Sequence, residues 1–244
     1  MGAVSSLSFD AYAESRDEPR FTDWLRQRSE PAWSDAVEHR FTRELGAGTL
    51  DDDVMAEYLR QDYAFVDTLV GVFGYAVGQA PTMTEKRRFV EFLDVITDDE
   101  NDYFERSFDA LDVPTERWQA PDRNATTESF IDLLLAAKTQ GGYAETLAVV
   151  VPAEWIYLAW ASREADDRPE PFYLAEWIEL HANDGFIAFV EWLRAQLDTV
   201  GPTLSPRRQR RVARLFERTA AHEGAFFDAA YEPSPAAPGG DSTT

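Results

Sequence analysis

The sequence predicts an all-α protein with a single domain, built as a bundle of about seven to nine helices. Apolar residues recur at spacings of three, four and seven through most of the 244 residues, which is the period of helices packed around one core. Strand-like alternation of β-branched residues is nearly absent, and no Pro/Gly-rich linker divides the chain. Aromatic residues make up 13% of the sequence, enough to fill a sizeable core.

The first predicted helices follow an N-terminal extension of residues 1–20. An amphipathic segment over residues 21–45 opens the domain. The longest helical pattern, residues 51–77, comes next. The side chain of Thr49 or Asp51 can cap its first turn by accepting a backbone N–H.

The remaining helices complete the domain by residue 231. They are predicted over residues 84–111, 126–139, 143–163, 171–198 and 205–231. Pro152 falls inside the third of these and should bend it, because proline lacks the N–H of a helical hydrogen bond. Residues 232–244 consist mainly of Pro, Ala, Gly, Ser and Thr and are predicted to be a disordered tail.

The charge of the chain is strongly unbalanced. The formal net charge is −22, and lysine occurs only at Lys86 and Lys138. We interpret acid excess with lysine depletion as typical of a cytoplasmic protein from a high-salt cell. The overall field disfavours nucleic acid as a partner, so the arginine run from Arg207 to Arg218 is expected to pair with acids. We expect no signal peptide and no membrane partner.

Several kinds of chemistry are ruled out by residues that the sequence lacks. Cysteine is absent, which removes disulfides, thiolate metal sites and cysteine nucleophiles. No glycine-rich phosphate loop is present. None of the three histidines, His39, His181 and His222, has a glutamate three residues before it, so the Glu-x-x-His pair of helical di-iron sites is missing. We expect neither a metal nor an organic cofactor.

The candidate functional residues are polar side chains on apolar helical faces. Tyr58 and Asp62 are four residues apart and share a face with Phe65. Glu154 lies among aromatic residues, and Glu223 lies in a stretch of small and apolar ones. Carboxyl groups in such places should have a raised pKa unless they are paired, which suits acid–base chemistry. The alternative for each one is an exposed or ion-paired carboxylate without a function.

Four blocks of sequence, in order, resemble the signature of TenA (thiaminase II-like) proteins. The blocks are YLRQDYAF at 58–65, VPAEWIY at 151–157, the segment from Tyr173 to Asp184, and the segment from Ala221 to Tyr231. They are similar to the family patterns Y-x-x-Q-D-x-x-Y/F, L-P-C-x-W-x-Y, Y-x-x-W-I-x-x-Y and E-x-x-F-W. The resemblance implies a heme-oxygenase-like helical bundle, usually a homotetramer, that hydrolyses thiamin or an aminopyrimidine derived from thiamin.

The same resemblance assigns roles to individual residues. It implies that Asp62 binds the amino group or a ring nitrogen of the pyrimidine and that Phe65 stacks on the ring. It implies that Tyr157 forms a hydrogen bond in the pocket and that Glu223 is the acid–base carboxylate.

The sequence also departs from the family pattern. Ala153 stands where the family has its nucleophilic cysteine, and an alanine cannot attack the pyrimidine. His181 and Phe130 stand where the family has pocket tyrosines, which makes both candidates for substrate binding. Some relatives without the cysteine are described as using a glutamate, and Glu154 is the candidate here. Adjacent helical positions point about 100° apart, so Glu154 cannot simply fill the space of Ala153.

The hypothesis from these observations is an aminopyrimidine aminohydrolase of thiamin salvage that works without a cysteine nucleophile. Glu223 and Glu154 are the catalytic candidates, and the expected partners are a small pyrimidine and further copies of the chain. One alternative is a non-catalytic pyrimidine-binding protein. Another is a heme-oxygenase-like oxidase of the PqqC or di-iron type.

The net charge predicts that salt stabilises the protein. Because 45 acids face 23 bases, raising the salt from dilute buffer to molar potassium chloride should screen the repulsion and raise the midpoint of thermal unfolding. A neutral osmolyte at matched osmolarity is the control. An unchanged midpoint in potassium chloride would contradict the high-salt interpretation.

Overall fold

A computed structural model describes residues 7–166 and 168–232, and within these ranges it contains thirteen α-helices, one short 3-10 helix and no strand. The helices are α1 Phe9–Ala13, α2 Phe21–Arg28, α3 Ala32–Val37, α4 Arg40–Gly46, α5 Asp52–Gln79, α6 Met83–Thr97, α7 Asp99–Ala110, α8 Thr115–Gln119, α9 Ala125–Gln140, α10 Tyr143–Glu164, α11 Phe172–Ala182, α12 Asp184–Val200 and α13 Pro206–Ala229, with the 3-10 turn at Gly201–Thr203. Nine α-helices have eight residues or more. The all-α class is confirmed.

The N-terminal extension and the C-terminal tail flank the helical domain. The N-terminal extension includes α1, whose Phe9 is buried with its ring centroid 5.0 Å from that of Phe21 and 5.8 Å from that of Trp24. This part of the extension therefore packs on the core. The tail predicted to be disordered lies, after Glu232, outside the described residues.

Two helices that the sequence predicts as continuous are each broken once. The pattern over 84–111 is interrupted at Asp98, between α6 and α7. The pattern over 171–198 is interrupted at Asn183, whose backbone is extended and whose side chain accepts a hydrogen bond from the Phe186 N–H at 2.9 Å. Asparagine favours this capping role because its short side chain satisfies a free N–H. The apolar period runs through both breaks in phase, which hides them in the sequence.

Helix α10 lies at the centre of the bundle. Sixteen of its residues are buried, and α5, α9, α11, α12 and α13 pack around it. Its first turn is fixed by Glu145, which accepts hydrogen bonds from Arg208 at 2.6 Å and from the Gly142 N–H at 3.0 Å. Burial opposes this charge, but the two hydrogen bonds keep the pKa of Glu145 below its usual value.

None of the described helices is both long enough and apolar enough to cross a membrane.

Gln61 joins α5 to the start of α9. Its side chain is 4% exposed, and its amide group donates to Glu57 at 3.0 Å and to the Asp122 carbonyl at 2.9 Å. Its oxygen accepts from the Thr127 hydroxyl at 2.7 Å and from the Asn124 N–H at 3.1 Å. Every hydrogen-bonding position of the amide is thus occupied. The network fixes the stretch of α5 that carries the candidate site.

We predict that Gln61→Leu lowers the free energy of unfolding by about 2–4 kcal/mol, because it leaves buried polar groups of the α9 start without partners. Chemical denaturation measures this change. Gln140→Leu, the same substitution at an exposed residue of α9, should change stability by about 0.5 kcal/mol or less. Equal stabilities of the two variants would show that the network does not hold the helices together.

Candidate active site

A small cavity, here called the inner cavity, lies among α5, α6, α7, α10, α11 and α13. It is lined by Asp62, Phe65, Val66, Leu69, Ile96, Glu100, Ala153, Glu154, Tyr157, Trp177, His181 and Glu223. Its volume is about 30 Å³, enough for about two water molecules. The structure therefore brings together six of the seven residues that the sequence singles out for the site, all except Phe130.

Four carboxyl groups share this cavity: Asp62 from α5, Glu100 from α7, Glu154 from α10 and Glu223 from α13. No ion pair to any of them occurs within residues 7–166 and 168–232. In the same ranges, no group of three or more histidine or carboxylate side chains is placed to hold a metal ion. Among the described residues, the four acids therefore share the cavity without a paired cation.

Burial controls the protonation of this cluster. It raises the pKa of Asp62 to about 8 and that of Glu154 to about 8, and the charge of Asp62 adds to the effect on Glu154. Burial likewise raises the pKa of Glu100 and of Glu223 well above the usual range, with further contributions from Asp62 and Glu154. The cluster therefore holds protons at neutral pH, as a general acid must.

Asp62 is oriented by a pair of tyrosines. The hydroxyl oxygens of Tyr58 and Tyr157 are 2.6 Å apart, and a hydrogen bond from Tyr58 to Asp62 opposes the rise in the pKa of that carboxyl. When Tyr58 donates to Asp62, its oxygen is free to accept from Tyr157. The three side chains then form a chain from α10 to α5 that fixes the Asp62 carboxyl against the cavity.

Glu223 offers an unused acceptor to the cavity. Its side chain is 1% exposed, and its Oε1 atom has no hydrogen-bond partner among the described residues. The indole N–H of Trp177, in another wall of the cavity, is equally buried and also lacks a partner there. A buried polar atom without a partner costs free energy. The unused acceptor and donor are therefore suited to a ligand that carries both kinds of group.

His181 contributes a neutral ring to the cavity. Its Nδ1 atom lies 2.9 Å from the Trp177 carbonyl oxygen. Because a carbonyl only accepts, Nδ1 carries the hydrogen and Nε2 keeps its lone pair. Burial lowers the pKa of His181 to about 4, so the ring is uncharged at neutral pH and acts as a hydrogen-bond acceptor.

Ala153 and Glu154 both line the inner cavity, although they are adjacent on α10. Ala153 presents only a methyl group, so no nucleophile exists at that position. Glu154 is buried and its carboxyl reaches the same space. The geometry leaves Glu154 available for acid–base chemistry beside Glu223.

Phe130 stands behind the cavity wall and does not line it. Its ring lies 4.6 Å from that of Phe65 and is stacked on His222 at 5.1 Å between centroids. Phe130 therefore supports Phe65, which does face the cavity. His222 is half-buried outside the cavity, where burial and the charge of Arg218 lower its pKa.

Glu100 and Trp177 line the cavity but were not singled out as site residues from the sequence. Glu100 belongs to the acidic block Asp98–Glu100, which is typical of a solvated surface. The signal that could have identified it is its spacing, because it continues the apolar stripe of Ile96, Tyr103 and Phe104 at intervals of four and three.

Known proteins of similar sequence cover nearly the whole chain. An aminopyrimidine aminohydrolase from Halalkalibacterium halodurans is 26% identical over 216 residues, which is 86% of this chain and 95% of that protein. An aminopyrimidine aminohydrolase from Helicobacter pylori is 25% identical over 213 residues, covering 86% of this chain and 98% of the relative.

Solved structures show the same fold. A TenA family transcription regulator from Silicibacter sp. TM1040 superposes with a TM-score of 0.80 at 23% identity, over 88% of this chain and 97% of that one. A TenA homologue from P. horikoshii OT3 gives a TM-score of 0.77 at 22% identity, over 87% and 98% of the two chains.

The sequence model of the TENA/THI-4/PQQC family matches residues 26–233. The resemblance seen in the four sequence blocks is therefore confirmed, and the chain belongs to the TENA/THI-4/PQQC family.

Proposed function

We propose that the protein is an aminopyrimidine aminohydrolase of thiamin salvage, which replaces an amino group of a thiamin-derived pyrimidine by a hydroxyl group. The observation that carries this proposal is the meeting of Asp62, Phe65, Tyr157 and Glu223 around one cavity. These residues come from three helices that are distant in sequence. The names of the two relatives above support the same reaction.

Substrate binding uses the polar and aromatic walls together. Asp62, held by Tyr58, faces an amino group and a ring nitrogen of the pyrimidine, a pairing that matches two oxygens with two nitrogens. The ring of Phe65 provides a stacking surface. The inner cavity, with a volume of about 30 Å³, lies between these walls.

The chemical step runs through Glu223. Its raised pKa keeps the carboxyl protonated, so it can donate this proton to the leaving amine as the C–N bond breaks. The resulting carboxylate then accepts a proton from the water that forms the C–O bond. The products are the hydroxylated pyrimidine and ammonia, and Glu223 ends in its original state. With Ala153 in place of a thiol, the route includes no covalent adduct with the enzyme, and little or no activity on thiamin itself is expected.

The proposal extends to the oligomeric state of the protein and to the cell in which it works. We propose a cytoplasmic homotetramer from a high-salt cell. The net charge of −22 and the scarcity of lysine support the high-salt cell, and the family resemblance is the ground for the tetramer. The same negative field disfavours nucleic acid as a partner.

A second candidate function is that of a pyrimidine-binding protein without turnover. The observation that favours it is Ala153, since the pocket is retained while the nucleophile is absent. Turnover of aminopyrimidines by the purified protein in molar salt separates the two candidates.

We predict that Glu223→Gln lowers kcat on an aminopyrimidine by about 10²-fold or more, because the amide cannot relay the proton. The dissociation constant of the pyrimidine should stay within about threefold, since the replacement keeps the shape of the side chain. Steady-state kinetics and equilibrium binding measure the two effects.

Two further variants test whether Glu223 is the residue that relays the proton. Glu128→Gln, the same change at an exposed position of α9, should leave kcat unchanged. Glu154→Gln tests the reserve carboxyl, and a larger loss of kcat there than in Glu223→Gln would move the relay to Glu154. Full activity of Glu223→Gln would refute its role. A wild-type protein that binds aminopyrimidines and turns over none would establish the second candidate function.

A further inference from the structure

The first half of α13 carries a row of exposed arginines, here called the basic stripe. It consists of Arg207, Arg210, Arg214 and Arg218. Successive members are three or four residues apart, so they share one face of the helix over about 16 Å. In a chain with a net charge of −22, this face is a local excess of positive charge.

The acids of the same chain do not neutralise the basic stripe. Of the six arginines between positions 207 and 218, only Arg208 forms an ion pair within the part of the chain that the structure describes, with Glu145 at 2.6 Å. Arg211 donates to the carbonyl oxygen of Gln140 at 2.9 Å. The four members of the stripe are therefore exposed and have no paired carboxylate among the described residues.

This arrangement of charge is unfavourable for α13 itself. Like charges three and four residues apart on a helix repel one another. The N-terminus of a helix is the positive end of its dipole, yet the first turn of α13 contains no acid and Arg207 is its second residue. A row of carboxylates placed against this face would remove both costs.

The exposed face of α7 carries the opposite charge at a matching spacing. Its acids, here called the acidic stripe, are Asp99, Asp102, Glu105 and Asp109. They are three or four residues apart and extend over about 15 Å. Asp102 pairs with Arg106 at 2.7 Å. No other described helix has four exposed acids on one face. The two stripes thus agree in number, spacing and length.

The two stripes lie on different parts of one copy of the chain. Helix α13 packs on α2, α3, α9 and α10, whereas α7 packs on α5, α6 and α11. Within residues 7–166 and 168–232, no ion pair joins one stripe to the other. A contact between the stripes therefore requires two copies.

We propose that the basic stripe of α13 is a docking surface for the acidic stripe of α7 in a second copy of this chain. The inference rests on the oligomer in the proposed function and is independent of the reaction. Arginines of one copy meet carboxylates of the other, and the charge-assisted hydrogen bonds between them fix the register of the two helices. Because every copy carries both stripes, the same contact joins further copies.

The charge of the whole chain determines how this contact depends on salt. Two copies that each carry a net charge of −22 repel one another in dilute buffer. In molar salt, exposed charges more than about 3 Å apart are largely screened, which removes most of this repulsion. Hydrogen-bonded arginine and carboxylate groups lie within that distance and keep part of their attraction. Association should therefore be stronger in molar potassium chloride than in dilute buffer.

Charge reversal on each stripe in turn tests the pairing. One variant combines Arg210→Glu with Arg214→Glu, and the other combines Glu105→Arg with Asp109→Arg. Each variant alone sets like charges against one another, so its dissociation constant for self-association should rise at least about tenfold. An equimolar mixture restores one contact between opposite charges, and a complex that contains both variants should form. Sedimentation velocity in molar potassium chloride measures both effects.

A third variant controls for the change in net charge. Arg43→Glu combined with Arg168→Glu alters the charge by the same amount at two exposed arginines outside the basic stripe, and it should associate like the wild type. The reversal at Arg210 and Arg214 also relieves the repulsion within α13. In dilute buffer, its thermal midpoint should therefore equal or exceed that of the control variant.

Each other outcome decides against the stripes. Unchanged self-association of either reversed variant overturns the proposal, and the homotetramer then stands on another contact. Loss of association without a mixed complex also overturns it, because the surface that meets α13 is then not α7. If the wild type binds a duplex oligonucleotide, the variant at Arg210 and Arg214 does not, and self-association is unchanged, the stripe binds nucleic acid instead. A monomeric wild type in molar salt contradicts both the stripe contact and the homotetramer, while turnover still tests the reaction.

Discussion

The meeting of four carboxyl groups, three of them on buried residues, with no cation paired to them among the described residues, is the constraint on which the rest of the site depends. Asp62, Glu100, Glu154 and Glu223 come from four helices and share one small cavity. Ionised carboxylates could not be buried together in this way, so they must hold protons. For Asp62 and Glu154 the folded-state pKa is about 8. Their contribution to stability is therefore fully present below the unfolded-state pKa and is lost as the pH rises from about 4 through about 8. Protonation of the carboxyl groups removes the repulsion among them.

The same constraint shows how the site can work without a thiol. A protonated carboxyl can deliver a proton to a leaving amine, and the carboxylate that remains can activate water. The neighbouring side chains position the carboxyl groups but do not supply the proton themselves. Tyr58 and Tyr157 hold Asp62 in place, while His181 stays neutral because burial lowers its pKa. Ala153 adds only a methyl group to the wall.

Much of this arrangement could be predicted from the sequence. The helical period predicts the all-α bundle, and the four blocks single out Asp62, Phe65, Tyr157 and Glu223, which the structure places around one cavity. The breaks at Asp98 and Asn183 were missed, because the apolar stripe continues in phase across each of them and only the backbone conformation changes. Glu100 was missed for a related reason. An acidic block is normally solvated, and it is the turn between α6 and α7 that directs one of its three acids to the cavity.

The central claim is that these acids are protonated at neutral pH, and carbon-13 NMR of the side-chain carboxyl groups tests it most directly. The signals of Asp62 and Glu154, assigned with Asp62→Asn and Glu154→Gln, should titrate at about pH 8. The exposed carboxyl groups should titrate at about pH 4. Titration of all carboxyl groups below about pH 5 would contradict the account, because the cavity would then hold four charges that nothing balances.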